Sequence, residues 1–288
     1  MMYLILSILC SVSVAVLLKY AKRFPIAIEQ IVAANYVIAL ICCFFIFSPD
    51  IKIFSNAAPW KIYIPLWILL PTIFLFLAAS IKHFGIVKTD IAQRLSLFIP
   101  ILASYFIFKE TIGVLKLIGL LLGFTAIFFT LAKKETKKTN SANWLYPSIV
   151  FIGFGVIDIL FKQIAATKEI PFTTSLFTVF SGAFIIALSI TLFYIIKGKS
   201  KFSLMNIRWG ILLGFLNFGN IFFYLKAHQA FSENPSTVFA GMNFGVIVLG
   251  SFIGVIAFEE KLSKINYIGI ALALTAVVII TLSQLYIN

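Results

Sequence analysis

Polar and apolar positions along the chain do not alternate with the short periods of amphipathic helices or surface strands. They group into long apolar runs separated by brief polar connectors. Ten runs are of the length needed to cross a bilayer as a helix, about 20 residues. They lie near 2–18, 26–47, 61–81, 86–107, 114–132, 144–162, 172–196, 207–226, 234–257 and 265–286. The runs are too long for barrel strands and show no two-residue alternation, which predicts an all-α integral membrane protein. Pro25 and Pro171 stand before the second helix of each half, while Pro65, Pro71 and Pro100 fall inside spans and predict kinks.

The pattern repeats. Residues 108–126 read FKETIGVLKLIGLLLGFTA and residues 258–276 read FEEKLSKINYIGIALALTA. At an offset of 150, Glu110 falls on Glu260, Gly119 on Gly269 and Thr125-Ala126 on Thr275-Ala276. Lys19 meets Lys162 and Pro25 meets Pro171 at slightly smaller offsets. Residues 1–132 and 144–288 therefore read as two five-helix repeats, joined by the polar stretch 133–143. Five is odd, so the second copy inserts upside down relative to the first. The expected architecture is ten transmembrane helices in two inverted repeats, a plan characteristic of transporters.

Composition strengthens the membrane reading and removes others. The chain is 61% hydrophobic and 11% charged, with a mean hydropathy of +1.08. Its net charge of +13 does not form a basic face, because the 23 Lys and Arg lie almost entirely in connectors. That distribution suits lipid headgroups and excludes nucleic acid as a partner. Connectors after odd-numbered helices hold 15 of them and those after even-numbered helices hold 7, which favours both termini outside. Cys10, Cys42 and Cys43 lie within apolar runs without metal-ligand spacing. No Walker loop, HExxH or Gly-x-Ser-x-Gly occurs, so no enzyme, ATP or cofactor chemistry is expected.

Ten helices, two five-helix repeats and a Glu-x8-Gly join after the fourth helix of each resemble the EamA-like branch of the drug/metabolite transporter superfamily. The resemblance covers nearly the whole chain. The runs from Asp90 to Pro100 and from Ala240 to Gly250 are similar to that family's fourth and ninth helices. Leu97 and Ile247 stand where the family often carries proline, and Asn35 where it often carries a basic residue. What the resemblance implies is secondary transport of a small solute through the cell (inner) membrane, with efflux common among members. Monomers and homodimers both fit.

Polar groups inside spans are costly, so each is a candidate for the pathway. Gln93 and Asn243, 150 residues apart, would meet a solute from equivalent helices, or else bond neighbouring helices. Asp90 and Arg94 have the i, i+4 spacing of an ion pair, and Arg94 suits an anionic group. Asn217 and Asn220 lie in a glycine-rich helix, where they line a cavity or bridge a close contact. Asp158, among apolar neighbours, is the first candidate for carrying a coupling proton, with Lys162 one turn on as a structural partner. Glu29 is the second candidate, although its place in a first helical turn already suits the dipole. Glu110 and Glu260, with Gly119 and Gly269, read as structural joins that cap the following helix. A membrane enzyme or scaffold acting on lipid is the alternative, and it lacks a visible catalytic cluster.

Overall fold

The computed structural model describes residues 1–21, 23–49, 58–131, 145–259 and 262–285, the side chains of 85–88, 131, 284 and 285 excepted. Among the described residues the regular structure is helical, in ten elements. These are α1 (Met2–Ala21), α2 (Ile28–Phe47), α3 (Trp60–Leu95), α4 (Phe98–Phe106), α5 (Val114–Leu131), α6 (Leu145–Ala166), α7 (Phe172–Ile196), α8 (Leu204–Ala230), α9 (Pro235–Phe258) and α10 (Lys264–Leu285). Eight of the described helices contain a stretch long and apolar enough to cross a membrane, and Val114–Thr130 is a shorter apolar helix. The protein is a multi-pass membrane protein.

The α3 run differs from the sequence expectation of two separate spans, yet it does not run straight. Ser80 and Thr89 join their hydroxyls at 2.7 Å, and both are buried. Nine residues of straight helix would hold them about 13.5 Å apart at 1.5 Å per residue. The chain therefore folds back between them. Packing on α6 agrees: a Cβ on Gly153 would meet Ile73, and one on Gly155 would meet Ile99 and the carbonyl of Ser96. Ile73 on the outgoing arm and Ile99 past the returning one thus reach the same level of α6. The returning arm ends at Leu95, and α4 continues after a two-residue break at Ser96-Leu97. The break has a local cause. Pro100 has no N–H to give the Ser96 carbonyl, which takes that of Ile99 instead (3.0 Å). Pro65 and Pro71, by contrast, lie inside α3 without interrupting it.

The directions of the helices follow from their contacts. Tyr63 meets Ser175 and Trp67 meets Thr178, so the first arm of α3 runs parallel to α7. Gly210 and Gly214 lie against Ala34 and Ile38, so α8 runs parallel to α2. Leu4 and Ile8 reach Gly241 and Gly245, so α1 runs parallel to α9. Because α4 continues α3 without reversing, a chain that reverses at its other connections satisfies all three only if α3 itself turns back.

The 150-residue repeat extends to the backbone. Ser48 (φ 44°) and Gly198 (φ 66°) are left-handed at equivalent positions, as are Lys109 (φ 56°) and Glu259 (φ 52°). At the crossing of α5 and α10, a Cβ on Gly119 would strike Ile280, and one on Gly269 would strike Thr130. Each pair is the other with the halves exchanged, and the order makes α5 and α10 antiparallel. The most extensive of the other contacts are also reciprocal: α1 packs on α8 as α6 packs on α3, and α2 on α8 as α7 on α3.

Candidate functional site

The eighth helix carries a polar column. Asn217, Asn220, Tyr224 and His228 follow one another at steps of three, four and four residues, which places them on one face. Two glycines, Gly210 and Gly214, let α2 approach α8 so closely that an added Cβ would lie 2.7 and 2.8 Å from backbone carbonyls of Ile31 and Asn35. Those glycines serve packing; the column faces α1, α6 and α9.

Three of the members each meet a different helix. Buried Ser7 on α1 donates its hydroxyl to the side chain of Asn220 at 2.9 Å and lies 3.4 Å from the Met242 sulfur on α9. Tyr224 donates to Asp158 Oδ1 at 2.8 Å. His228 is fully buried between the rings of Tyr224 and Phe239, at centroid distances of 4.6 and 4.7 Å. Neither of its ring nitrogens has a hydrogen-bond partner among the described residues. A buried polar group left open in this way costs about 1–3 kcal/mol, which calls for a compensating role.

Asp158 and Lys162 do not pair, contrary to the i, i+4 expectation. The Lys162 stem runs on toward the helix end, where its ammonium donates to the Ser232 carbonyl at 2.8 Å and faces the Phe108 ring at 5.9 Å. The partner of Asp158 is Tyr224, 66 residues away, a contact with no local signature.

Asp90 and Arg94 do approach, with Arg94 Nε 3.5 Å from Asp90 Oδ1. Gln93 and Asn243 are both half-buried. The Asn243 amide donates to its own helix at the Phe239 carbonyl (3.1 Å), one turn from the ring that covers His228. Asn35 on α2 is fully buried, and among the described residues both ends of its amide lack a partner, as does the hydroxyl of Tyr36 beside it. Glu29 lies buried in the first turn of α2, where its carbonyl accepts the Thr191 hydroxyl at 2.9 Å. Gln30, next to Glu29 one turn after Pro25, ties α2 to the start of α8 through Asn206 (3.0 Å) and the Lys201 carbonyl (2.8 Å).

Glu110 caps a helix, but the helix is α9 and not the following α5. Its carboxylate accepts the backbone N–H of Ser236 (2.9 Å) and the Ser236 hydroxyl (2.6 Å). Lys116, wholly buried, donates to Glu110 at 2.7 Å and to Asn234 at 2.8 Å. Glu260 lies outside the described residues, as does the linker 133–143. In the sequence Lys116 stands beside Glu110 at a join and His228 near a helix end, neither with a binding role, and Tyr224 carries no signal of its own. The spacing along α8 was the available signal for the last two.

Comparison with known proteins adds the following. No family model matches the sequence. An uncharacterised protein of Haemophilus influenzae is 42% identical over 283 residues, covering 95% of each chain. A protein of known crystal structure superposes with a TM-score of 0.74 at 14% identity, covering 100% of this chain and 98% of that one, a likeness of fold.

Proposed function

We propose that this chain, which belongs to the family of the Haemophilus influenzae protein, is a secondary transporter of a small polar or amphipathic metabolite in the cytoplasmic membrane. Its ten spans form two inverted five-helix repeats of the EamA-like kind, the fourth span being the returning arm of α3 together with α4. The reciprocal crossing of α5 and α10 supports the repeat, since antiparallel equivalents are related by an axis in the membrane plane. The observation that carries the transport reading is the set of open polar groups enclosed within the bundle. Asn35, Tyr36 and His228 hold unpartnered donors and acceptors where lipid cannot reach them. A solute that passes between the halves supplies the missing partners, and the amides favour a neutral or zwitterionic polar group.

The end of the bundle that holds Lys19, Arg23, Lys197, Lys199 and Lys201 faces the cytoplasm by the positive-inside rule. Both chain termini then lie outside, and efflux is the direction that the resemblance implies.

The test is a thermal-shift screen of purified protein against amino acids, nucleosides and cationic amphipathic drugs. A stabilising solute is expected, and Asn35→Leu should weaken its binding about tenfold or more, the cost of a lost polar contact in a buried site. If no solute in any class shifts the melt, or if Asn35→Leu binds the hit unchanged, this site is misassigned.

A further inference from the structure

Helices α1 and α9 run side by side but do not touch along their whole length. A Cβ on Gly241 would strike Leu4 and one on Gly245 would strike Ile8, so the pair is tight at that end. Five residues on, a Cβ on Gly250 would meet nothing within 4 Å. The pair closes again where the rings of Tyr20 and Phe258 lie 5.4 Å apart. Between these contacts opens a cleft of about 350 Å³. Val16, Leu17 and Tyr20 of α1, Trp209 and Leu216 of α8 and Ile253 of α9 line it, with Ser13 at its inner end. From Ser13 to Tyr20 it extends about 10 Å along α1, at 1.5 Å per residue.

The other half closes the equivalent space. Leu160, Leu66 and Ala103 stand where this cleft has Leu17, Leu216 and Ile253, and all three are buried. The cleft's own three are half-exposed. Leu212, Phe215, Phe252 and Ile256, on the same stretches of α8 and α9, are exposed, as side chains bathed by lipid are. The mouth is cationic and aromatic. The Arg23 guanidinium lies 4.8 Å from the Tyr20 ring centre, and exposed Arg208 precedes Trp209. Among the described residues no carboxylate pairs with either arginine. Glu259 stands on the far side, next to Phe258, whose ring carries Lys19 at 3.7 Å. Trp209 packs on Phe24 at 5.9 Å, and its indole N–H has no acceptor among the described residues.

We infer that this cleft holds one acyl chain of an anionic phospholipid, with the lipid phosphate drawn to Arg23 and Arg208. Apolar walls suit a hydrocarbon chain and penalise a polar solute, which would lose its hydrogen bonds to water there. A guanidinium matches phosphate oxygens with two parallel donors and is more weakly hydrated than an ammonium. Tyr20 and Trp209 stand at the depth where aromatic rings meet headgroups, and there the indole N–H finds an ester carbonyl. The chain fills the gap that Gly250 leaves and props α1 away from α9, a wedge that only one half of the repeat accepts. Such a site is independent of any solute carried through the bundle.

The test uses the full chain in phosphatidylcholine vesicles, with Trp60→Phe, Trp67→Phe and Trp144→Phe so that emission comes from Trp209. Bromine on an acyl chain quenches an indole that it touches. Brominated phosphatidylglycerol, added as a minor fraction, should quench at least about fivefold more per mole than brominated phosphatidylcholine, the attraction of one basic residue for an anionic lipid. Arg23→Gln and Arg208→Gln together should erase that preference. Gly250→Leu, which fills the cleft from α9, should bring phosphatidylglycerol down to the phosphatidylcholine level, and Val16→Phe fills it from α1 if Gly250→Leu aggregates. If the tryptophan replacements unfold the protein, the difference between wild type and Trp209→Phe reports the same ring. Equal quenching by the two lipids overturns the site, as does a preference that survives loss of both arginines or filling of the cleft.

Discussion

The joins at 108–126 and 258–276 turn the same corner with different side chains. Both begin with a left-handed residue, Lys109 in one and Glu259 in the other, and both place a glycine at the α5–α10 crossing. At the position between them the copies part. Lys116 reaches Glu110 and Asn234, so the first join grips the start of α9 through a buried ion pair. Its equivalent, Asn266, accepts the N–H and hydroxyl of Ser263 (2.9 and 2.7 Å) and donates to the carbonyls of Phe129 and Thr130 (3.0 and 2.8 Å). The second join thus satisfies its own helix start and the last carbonyls of α5 with one amide. The two stretches share the backbone corner, with Lys109 and Glu259 both left-handed and Gly119 and Gly269 both at the crossing. They differ in the chemistry that holds the corner to the opposite half.

Removing the two fastenings should separate them clearly. Lys116→Ala strands the Glu110 carboxylate in a buried site and should cost about 3–5 kcal/mol, whereas Asn266→Ala should cost about 1–2 kcal/mol. Thermal unfolding of the purified protein measures both. Equal losses would mean that the ion pair holds no more than the amide.

The glycines should differ next. A Cβ on Gly269 would lie 2.5 Å from the backbone nitrogen of Thr130, which cannot move alone, whereas one on Gly119 meets first the Ile280 side chain at 2.7 Å. Gly269→Ala should therefore destabilise by about 1–3 kcal/mol and Gly119→Ala by less, as overpacking against backbone costs more than against a flexible side chain. The reverse order in melting temperature would place the tighter approach at the wrong copy.

The smallest contrast is between the equivalent lysines. Lys19 lies 3.7 Å from the Phe258 ring centre and Lys162 faces Phe108, but Lys19 is exposed and Lys162 is buried on the Ser232 carbonyl. Lys162→Met should cost about 1.5–2 kcal/mol and Lys19→Met about 0.5 kcal/mol. A Lys19→Met variant as unstable as Lys162→Met, by the same melt, would show that the two ends are fastened alike.

Much of this frame is legible in the sequence, because apolar length and the 150-residue recurrence are properties of one dimension. Gly119 and Gly269 could be matched before their contacts were known. The partner of Glu110 could not, since Ser236 is 126 residues away and helical spacing reports only neighbours on the same helix. The same limit hid Tyr224 behind Lys162 as the partner of Asp158, because an i, i+4 pair is visible in sequence and a contact between helices is not. The column on α8 lay within reach: Asn217 and Asn220 were noticed for their glycines, and extending the same face by two turns leads to Tyr224 and His228.

The reciprocal packing bears on how the protein is made. Helices α1, α2 and the first arm of α3 find their main partners in α6, α7 and α8, and α5 finds its own in α10. The first half to leave the ribosome therefore enters the membrane with few of its final neighbours present. The Glu110–Lys116 pair must wait there until Asn234 and Ser236 are synthesised. Pairing Lys116 with Glu110 inside the first half neutralises both charges during that wait, before Ser236 and Asn234 exist to complete the cap. The ion pair itself needs nothing from the second half of the chain, since Glu110 and Lys116 are only six residues apart.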